Sequence, residues 1–308
     1  MDLQPVLDGI VAALAPLAGA EGKVADYIPA LACISPQHLG LALRTCEGAA
    51  SQAGEGAQPF SVQSISKVFT LTLAMRHLDE RELWQRIGVE PSGTAFNSLV
   101  QLEFEGGKPR NPFINAGAIA VADRLVSVYG QAGAKAALLA LVSDLCGEPV
   151  VFDEAVAASE AATGFRNMAM CNFMKGFGQI DNAVEAVLDV YFHQCALRMS
   201  CVQLARALGY LCRDGAHPLR GSEQVVSERQ ARRINALMLT CGTYDAAGEF
   251  AYRIGLPCKS GVGGGIVAVM PDRLTLAVWS PPLDEAGNSL LGQVALEQFV
   301  SRTGLSVF

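Results

Sequence analysis

The sequence has no run of five like charges, no CxxC pair and no stretch of eighteen consecutive apolar residues. Each absence removes a class of function. Its 23 basic and 30 acidic residues are scattered to a net charge of -7, which suits a soluble protein and leaves no basic footprint for nucleic acid. Nine cysteines are an odd number without metal-site or redox spacing, and Cys33, Cys171, Cys195, Cys201 and Cys241 lie among apolar neighbours. Buried, reduced thiols in a reducing compartment are expected. The four histidines, His38, His77, His193 and His217, share no metal-ligand spacing, so neither a metal centre nor a histidine triad is expected. Without a long apolar run, no membrane span is expected. The opening MDLQPVLDGIVAALAPLAGA lacks a basic start, carries Asp2 and Asp8 and is interrupted by Pro16. It reads as an amphipathic helix rather than a signal peptide, and the protein as cytoplasmic.

What is present is a hydrophobic chain: 51% of its 308 residues are apolar and 17% charged, enough for a sizeable core in one large domain or two intimate ones. Strand character concentrates at the two ends. LGLALRT (39–45) and FSVQ are early candidates, with CEGAASQAGEG between them as a turn; GGGIVAVM (263–270) and RLTLAVWS (273–280) are late ones. Helical spacing dominates from about 64 to 239, as in KAALLALVSDL and SERQARRINALML. The final LLGQVALEQFVSRTG reads as a helix capped by Gly304. No linker or repeat divides the chain. A single α/β (α+β mixed) domain over 1–308 follows, with a sheet-containing part of about 1–63 and 242–308 and an inserted helical part of about 64–241. A cleft at their junction is the natural place for a small-molecule site.

QSISKVFTLTLAM (63–75) puts a serine and a lysine on one helical face, Ser64 and Lys67, at the head of an apolar run. An ordinary lysine, with pKa near ~10.4, is roughly 0.04% neutral at pH 7. Burial could lower it to about 7–8, where it becomes a base able to activate a serine hydroxyl. Alone, S-x-x-K is a weak signal, since a solvated helix start has the same letters. It gains weight from a second lysine in Lys259-Ser260-Gly261, because S-x-x-K early and K-[ST]-G late is the pattern of penicillin-recognising serine hydrolases. Lys259 itself reads as structural, shaping the field around Lys67. The glycine run GVGGGI fits neither phosphate-loop pattern and suits close backbone approach better.

QSISK, RNPFINAGAI, SEAATGFRN, YFHQCAL, GTYDAAGEFAYR and PCKSGVGGGI occur in an order and spacing that resembles the serine-dependent glutaminase family across nearly the whole chain. The resemblance implies a β-lactamase/transpeptidase-like fold, a mostly antiparallel sheet flanked by helices. It also implies hydrolysis of L-glutamine to L-glutamate and ammonia without metal or cofactor, and assembly as a homodimer or homotetramer. Residue by residue it implies Ser64 as nucleophile, Lys67 as its base, and Tyr244 assisting proton transfer to ammonia. The backbone N–H groups of Ser64 and Val262 would form the oxyanion hole. Tyr27, Asn115, Glu160, Asn167 and Tyr191 would hold the amino-acid end of the substrate. On the residues alone these side chains are bland: Asn115 a turn or cap, Glu160 and Asn167 solvated helix ends, Tyr27 a buried aromatic, Tyr191 part of a core stripe. The S-D-N signature has no literal counterpart in a suitable place, which weakens a β-lactam reading; the second alternative, a β-lactamase, D-peptidase or esterase, works outside the cytoplasm, and the lack of a signal-peptide pattern counts against it. A pocket that binds without turnover is the third alternative.

Overall fold

The computed structural model describes residues 2–93 and 98–308. Among them eight strands occur: β1 (Gly40–Thr45), β2 (Ala50–Gly54), β3 (Phe60–Ser61), β4 (Val151–Phe152), β5 (Leu197–Met199), β6 (Cys258–Gly261), β7 (Gly265–Met270) and β8 (Leu274–Trp279). Five form the main sheet in the order β2-β1-β8-β7-β6, with every pairing antiparallel. The three short strands form a second sheet, β3-β5-β4.

The main sheet joins the chain ends through β1 and β8, so the early and late strand signals meet although more than two hundred residues separate them. Successive side chains of a strand point to opposite faces, and here both faces are covered. Leu41, Leu43, Ile266, Ala268, Leu276 and Val278 pack against Leu7 and Ile10 of the helix Gln4–Leu14 and Phe299 of the helix Leu290–Thr303. The intervening Ala42, Val267, Val269, Ala277 and Trp279 face the helical part, joining Val68, Phe69 and Leu71. Burial on both sides is why GIVAVM is continuously apolar rather than alternating.

The expected turn over CEGAASQAGEG is only partly a turn. Its second half is the edge strand β2, paired from Ala50 to Gly54 with Arg44 to Gly40. Small and polar residues with one buried position, Ala53, carry no period for a sequence reading to detect. The final helix ends as expected, at Gly304 in the left-handed conformation (φ 69). Cys33 departs from expectation: it is exposed at the end of the short helix Pro29–Ala32, while seven of the other cysteines are buried and Cys46 is half-buried.

Two helices carry the site inward. In Ser66–His77, every residue from Ser66 to Met75 is buried, so the segment is interior on all sides. Thr72 is accommodated by donating to Val68 O and pairing with Tyr210 Oη at 2.6 Å. The helix Asn115–Cys146 is long and apolar enough to cross a membrane by length and composition. It is broken at Gly130 (φ 69, ψ 169), and residues 116–126 are buried in the protein's own core.

Candidate active site

Ser64 lies in a single 3-10 turn, Gln63–Ile65, between β3 and the helix Ser66–His77. Gln63 enters that turn at φ 51, a left-handed value that costs a non-glycine residue of order 1 kcal/mol or more. The turn is held against β6 by glycines. A Cβ on Gly261 would lie 2.3 Å from Val62 O and 3.2 Å from Ser64 N; one on Gly263 would lie 2.1 Å from Ser61 O. The glycine run therefore serves close backbone approach, and it brings the end of β6 alongside the Ser64 amide.

Lys67 follows one helical turn later and is almost fully buried. Its ammonium donates to Asn115 Oδ1 at 2.7 Å and Phe113 O at 3.2 Å. Burial lowers its pKa to about 8, against the opposing influence of Cys195 and Glu160. Asn115 opens its helix, where its side chain joins Lys67 to Asn167 by donating to Asn167 Oδ1 at 3.0 Å. Asn167 lies on Phe165–Gly176 and Glu160 on Glu154–Thr163; the helix breaks between them at Gly164, so they reach the site from two separate segments.

Glu160 is buried, and desolvation raises its carboxyl to about 7 although Gln63 and Lys67 pull it down. A cation entering beside it would lower it again. Tyr191, on Val184–Cys195, is buried, and burial, with Cys195 and Glu160 nearby, pushes its pKa up. Tyr244 takes φ 62, the second left-handed non-glycine residue of the site. Its hydroxyl donates to Ser260 O at 3.2 Å, and Ser64 pulls its pKa down against the larger effect of burial. Burial raises its pKa too, so it stays a neutral phenol.

Lys259, on β6, has no exposed surface. Its ammonium donates to Ser260 O at 2.6 Å and Gly242 O at 2.9 Å and sits 4.7 Å above the Tyr244 ring. Burial, and then Lys67, lower its pKa. It shapes the field behind Tyr244 and does not line the cleft.

These groups surround one cleft of about 950 Å³ between the sheet-bearing and helical parts. Ser64, Asn115, Glu160, Asn167, Tyr191, Val262 and Tyr27 line it, whereas Lys67 and Tyr244 are buried and are not among the lining residues. Tyr27 differs from the buried aromatic its surroundings suggested: it is 57% exposed, at the rim. The cleft also takes in groups the sequence had not singled out: Gln63, Cys195, Arg166 and the segment 283–287. Gln63, Arg166 and Cys195 lie inside QSISK, SEAATGFRN and YFHQCAL, which is the only sign of a site role they carried; the 283–287 segment carried none. Among the described residues no group of three or more His, Cys, Asp or Glu could hold a metal ion.

Comparison with known proteins agrees with this architecture. The family model for glutaminase matches residues 22–308. A glutaminase of Sinorhizobium fredii is 57% identical over 308 residues, covering 100% of this chain and 97% of its own length. A thermolabile glutaminase of Rhizobium etli is 56% identical over 100% of this chain and 99% of its own. Among solved structures, a probable glutaminase superposes with a TM-score of 0.94 at 36% identity over 100% of this chain and 99% of that one. The Bacillus subtilis glutaminase in covalent complex with 5-oxo-L-norleucine gives 0.90 at 33% identity over 100% of both chains. The antiparallel sheet flanked by helices is thus the β-lactamase-like fold of the bacterial glutaminases. With the match extending over almost the entire sequence, the chain belongs to the glutaminase family and is an enzyme of that kind, an amidohydrolase.

Proposed function

We propose that the protein hydrolyses L-glutamine to L-glutamate and ammonia through an acyl-enzyme on Ser64. The observation that carries this is the buried Lys67, with its pKa brought down to about 8 within one helical turn of a cleft-facing serine. At pH 7 such an amine is roughly one-tenth neutral, against well under a thousandth for a solvated lysine.

Neutral Lys67 takes the Ser64 proton as Oγ attacks the side-chain amide carbon. Negative charge then develops on the amide oxygen, and the Ser64 and Val262 N–H groups, brought together by Gly261, stabilise it. Losing one donor of that kind typically costs about 10²–10³ in rate. The tetrahedral intermediate collapses, the C–N bond breaks, and ammonia leaves with a proton relayed through Tyr244, whose pKa Ser64 influences directly. A water, deprotonated by the same lysine–tyrosine pair, then attacks the ester, releasing glutamate and restoring Ser64.

The opposite end of glutamine carries an ammonium and a carboxylate. Glu160 suits the ammonium. Asn115, Asn167, Tyr191 and Tyr27 supply donors for the carboxylate. Clamping both ends at fixed span disfavours asparagine, which is one methylene shorter; packing of a methylene alone is worth only about 1–3 kcal/mol, so the clamp supplies most of the discrimination.

The Bacillus subtilis glutaminase formed its covalent complex by reaction with 6-diazo-5-oxo-L-norleucine. The same reagent tests the nucleophile here. Intact-mass analysis should find one 5-oxo-L-norleucine per chain, and peptide mapping should locate it on Ser64. Attachment to another residue, or an equal adduct on Ser64→Ala, would remove Ser64 from its role.

A further inference from the structure

Away from the cleft, two thiols lie in contact. Cys46, in the turn that leaves β1, has its Sγ 3.0 Å from that of Cys212, at the end of the 3-10 helix Leu208–Cys212, and the two residues are 166 positions apart in sequence. Both are free. A disulfide needs about 2.05 Å between sulfurs, so about one ångström of approach would join them.

The backbone around the pair is already strapped together. Cys46 N donates to Arg273 O at 2.8 Å, Asp272 N donates to Cys212 O at 3.0 Å, and Arg213 Nη1 donates to Cys46 O at 3.0 Å. Neither sulfur has to bring a loose segment with it. Nor are the two equivalent: Cys46 is half-buried, while Cys212 is buried. The hydrogen bond with Cys212, helped by Arg213 and opposed by burial, Glu47 and Asp272, holds the Cys46 thiol below its usual range, whereas that same bond and burial push the Cys212 thiol up. That is the arrangement of an attacking thiolate with a resolving thiol beside it. The remaining buried thiols lack it: burial pushes Cys241 up, Cys146 and Cys171 up to about 12, and Cys195, Cys201 and Cys258 further.

We propose that Cys46 and Cys212 form a reversible, peroxide-sensitive disulfide that fastens the first strand's turn to the helical part. The Cys46 thiolate attacks one oxygen of hydrogen peroxide, breaking the O–O bond to give a sulfenic acid and, after proton uptake, water. The Cys212 sulfur then attacks the Cys46 sulfur; the S–S bond forms, the S–O bond breaks, and the hydroxide released takes the Cys212 proton as a second water. Two thiols lose two electrons and one peroxide is reduced to two waters. A dithiol reductant reverses the step.

Because the bridge would close a loop of more than a hundred residues, it restricts the unfolded chain strongly. The melting temperature should rise by about 5 °C or more on oxidation. The experiment is a titration of the purified, full-length protein with hydrogen peroxide, read by intact mass, non-reducing peptide mapping and thermal melting. The proposal expects loss of two hydrogens per chain, a Cys46–Cys212 cross-linked peptide, a higher melting temperature, and reversal of all three by dithiothreitol. Cys46→Ser, at a half-buried site, should melt like the reduced wild type and show neither the peptide nor the shift. Oxidation that stops at sulfinic or sulfonic acid on Cys46, or that first consumes the exposed Cys33, would overturn it. So would a cross-link that leaves the melting temperature unchanged.

Discussion

Lys67 and Glu160 are opposite cases of one physical effect. Desolvation disfavours whichever form is charged, so it lowers the amine to about 8 and raises the acid to about 7. On the mechanism above, activity needs the uncharged amine and the charged carboxylate. Both requirements improve as pH rises, so kcat/KM should climb from pH 6 and level off above about 8. The Glu160 contribution should appear mainly in KM and the Lys67 contribution in kcat. Lys67→Arg, which keeps charge and length but cannot deprotonate near neutrality, should lower kcat by about 10³-fold or more, and stopped assays across pH 6–9 would measure it. An arginine variant with the wild-type pH profile would contradict Lys67 as the base.

Much of this residue-level arrangement could be read from short motifs. Ser64 and Lys67 announced themselves by spacing and an apolar run. Asn115 and Asn167, 3.0 Å apart, were legible only through resemblance, because nothing local links residues 52 positions apart. The left-handed backbone at Gln63 and Tyr244 was not legible at all, since neither residue type advertises φ values of 51 and 62.

At the scale of elements, the site depends on how closely one strand approaches one turn. β6 is only four residues long and fully buried, with no alternation to mark it. Its pairing with β7 was therefore less visible than the apolar GIVAVM and LTLAVW, and the two- and three-residue strands of the second sheet had no period to read. The glycines were legible as a close-approach signal, though not what they approach. Gly261→Ala should test that contact. Its Cβ would fall 2.3 Å from Val62 O, a backbone atom that cannot swing aside as a side chain would. Relief would have to move the Ser64 turn away from β6. A stability cost of about 1–3 kcal/mol is expected, with a loss in kcat/KM of at least tenfold for molecules that remain folded. Near-normal activity together with reduced stability would separate Gly261 from the oxyanion geometry.

Across the whole molecule, the two ends of the chain build the main sheet, and the segment 64–241 contributes five of the candidate residues that line the cleft, Ser64, Asn115, Glu160, Asn167 and Tyr191. The sequence clusters strand-forming residues at both ends and helical spacing in the middle, where β4 and β5 nonetheless occur. It left the strand order open, since pairing between β1 and β8 is a long-range choice. The helix Gln4–Leu14 covers the sheet face turned away from Val68, Phe69 and Leu71, with Leu7 and Ile10 fully buried, and none of its residues lines the cleft. Leu7→Ala should cost about 2–5 kcal/mol in chemical denaturation. Its kcat/KM per folded molecule should match wild type; a large catalytic defect in a folded Leu7→Ala protein would mean that this face communicates with the site.

The most direct test of the central claim is to follow ammonia and glutamate release by the purified protein, with glutamine and asparagine side by side and Ser64→Ala as control. Equimolar products from glutamine, much slower turnover of asparagine, and loss of both in a Ser64→Ala protein that melts like wild type are expected. Turnover that persists in Ser64→Ala, or no release from folded wild-type protein, would contradict the account.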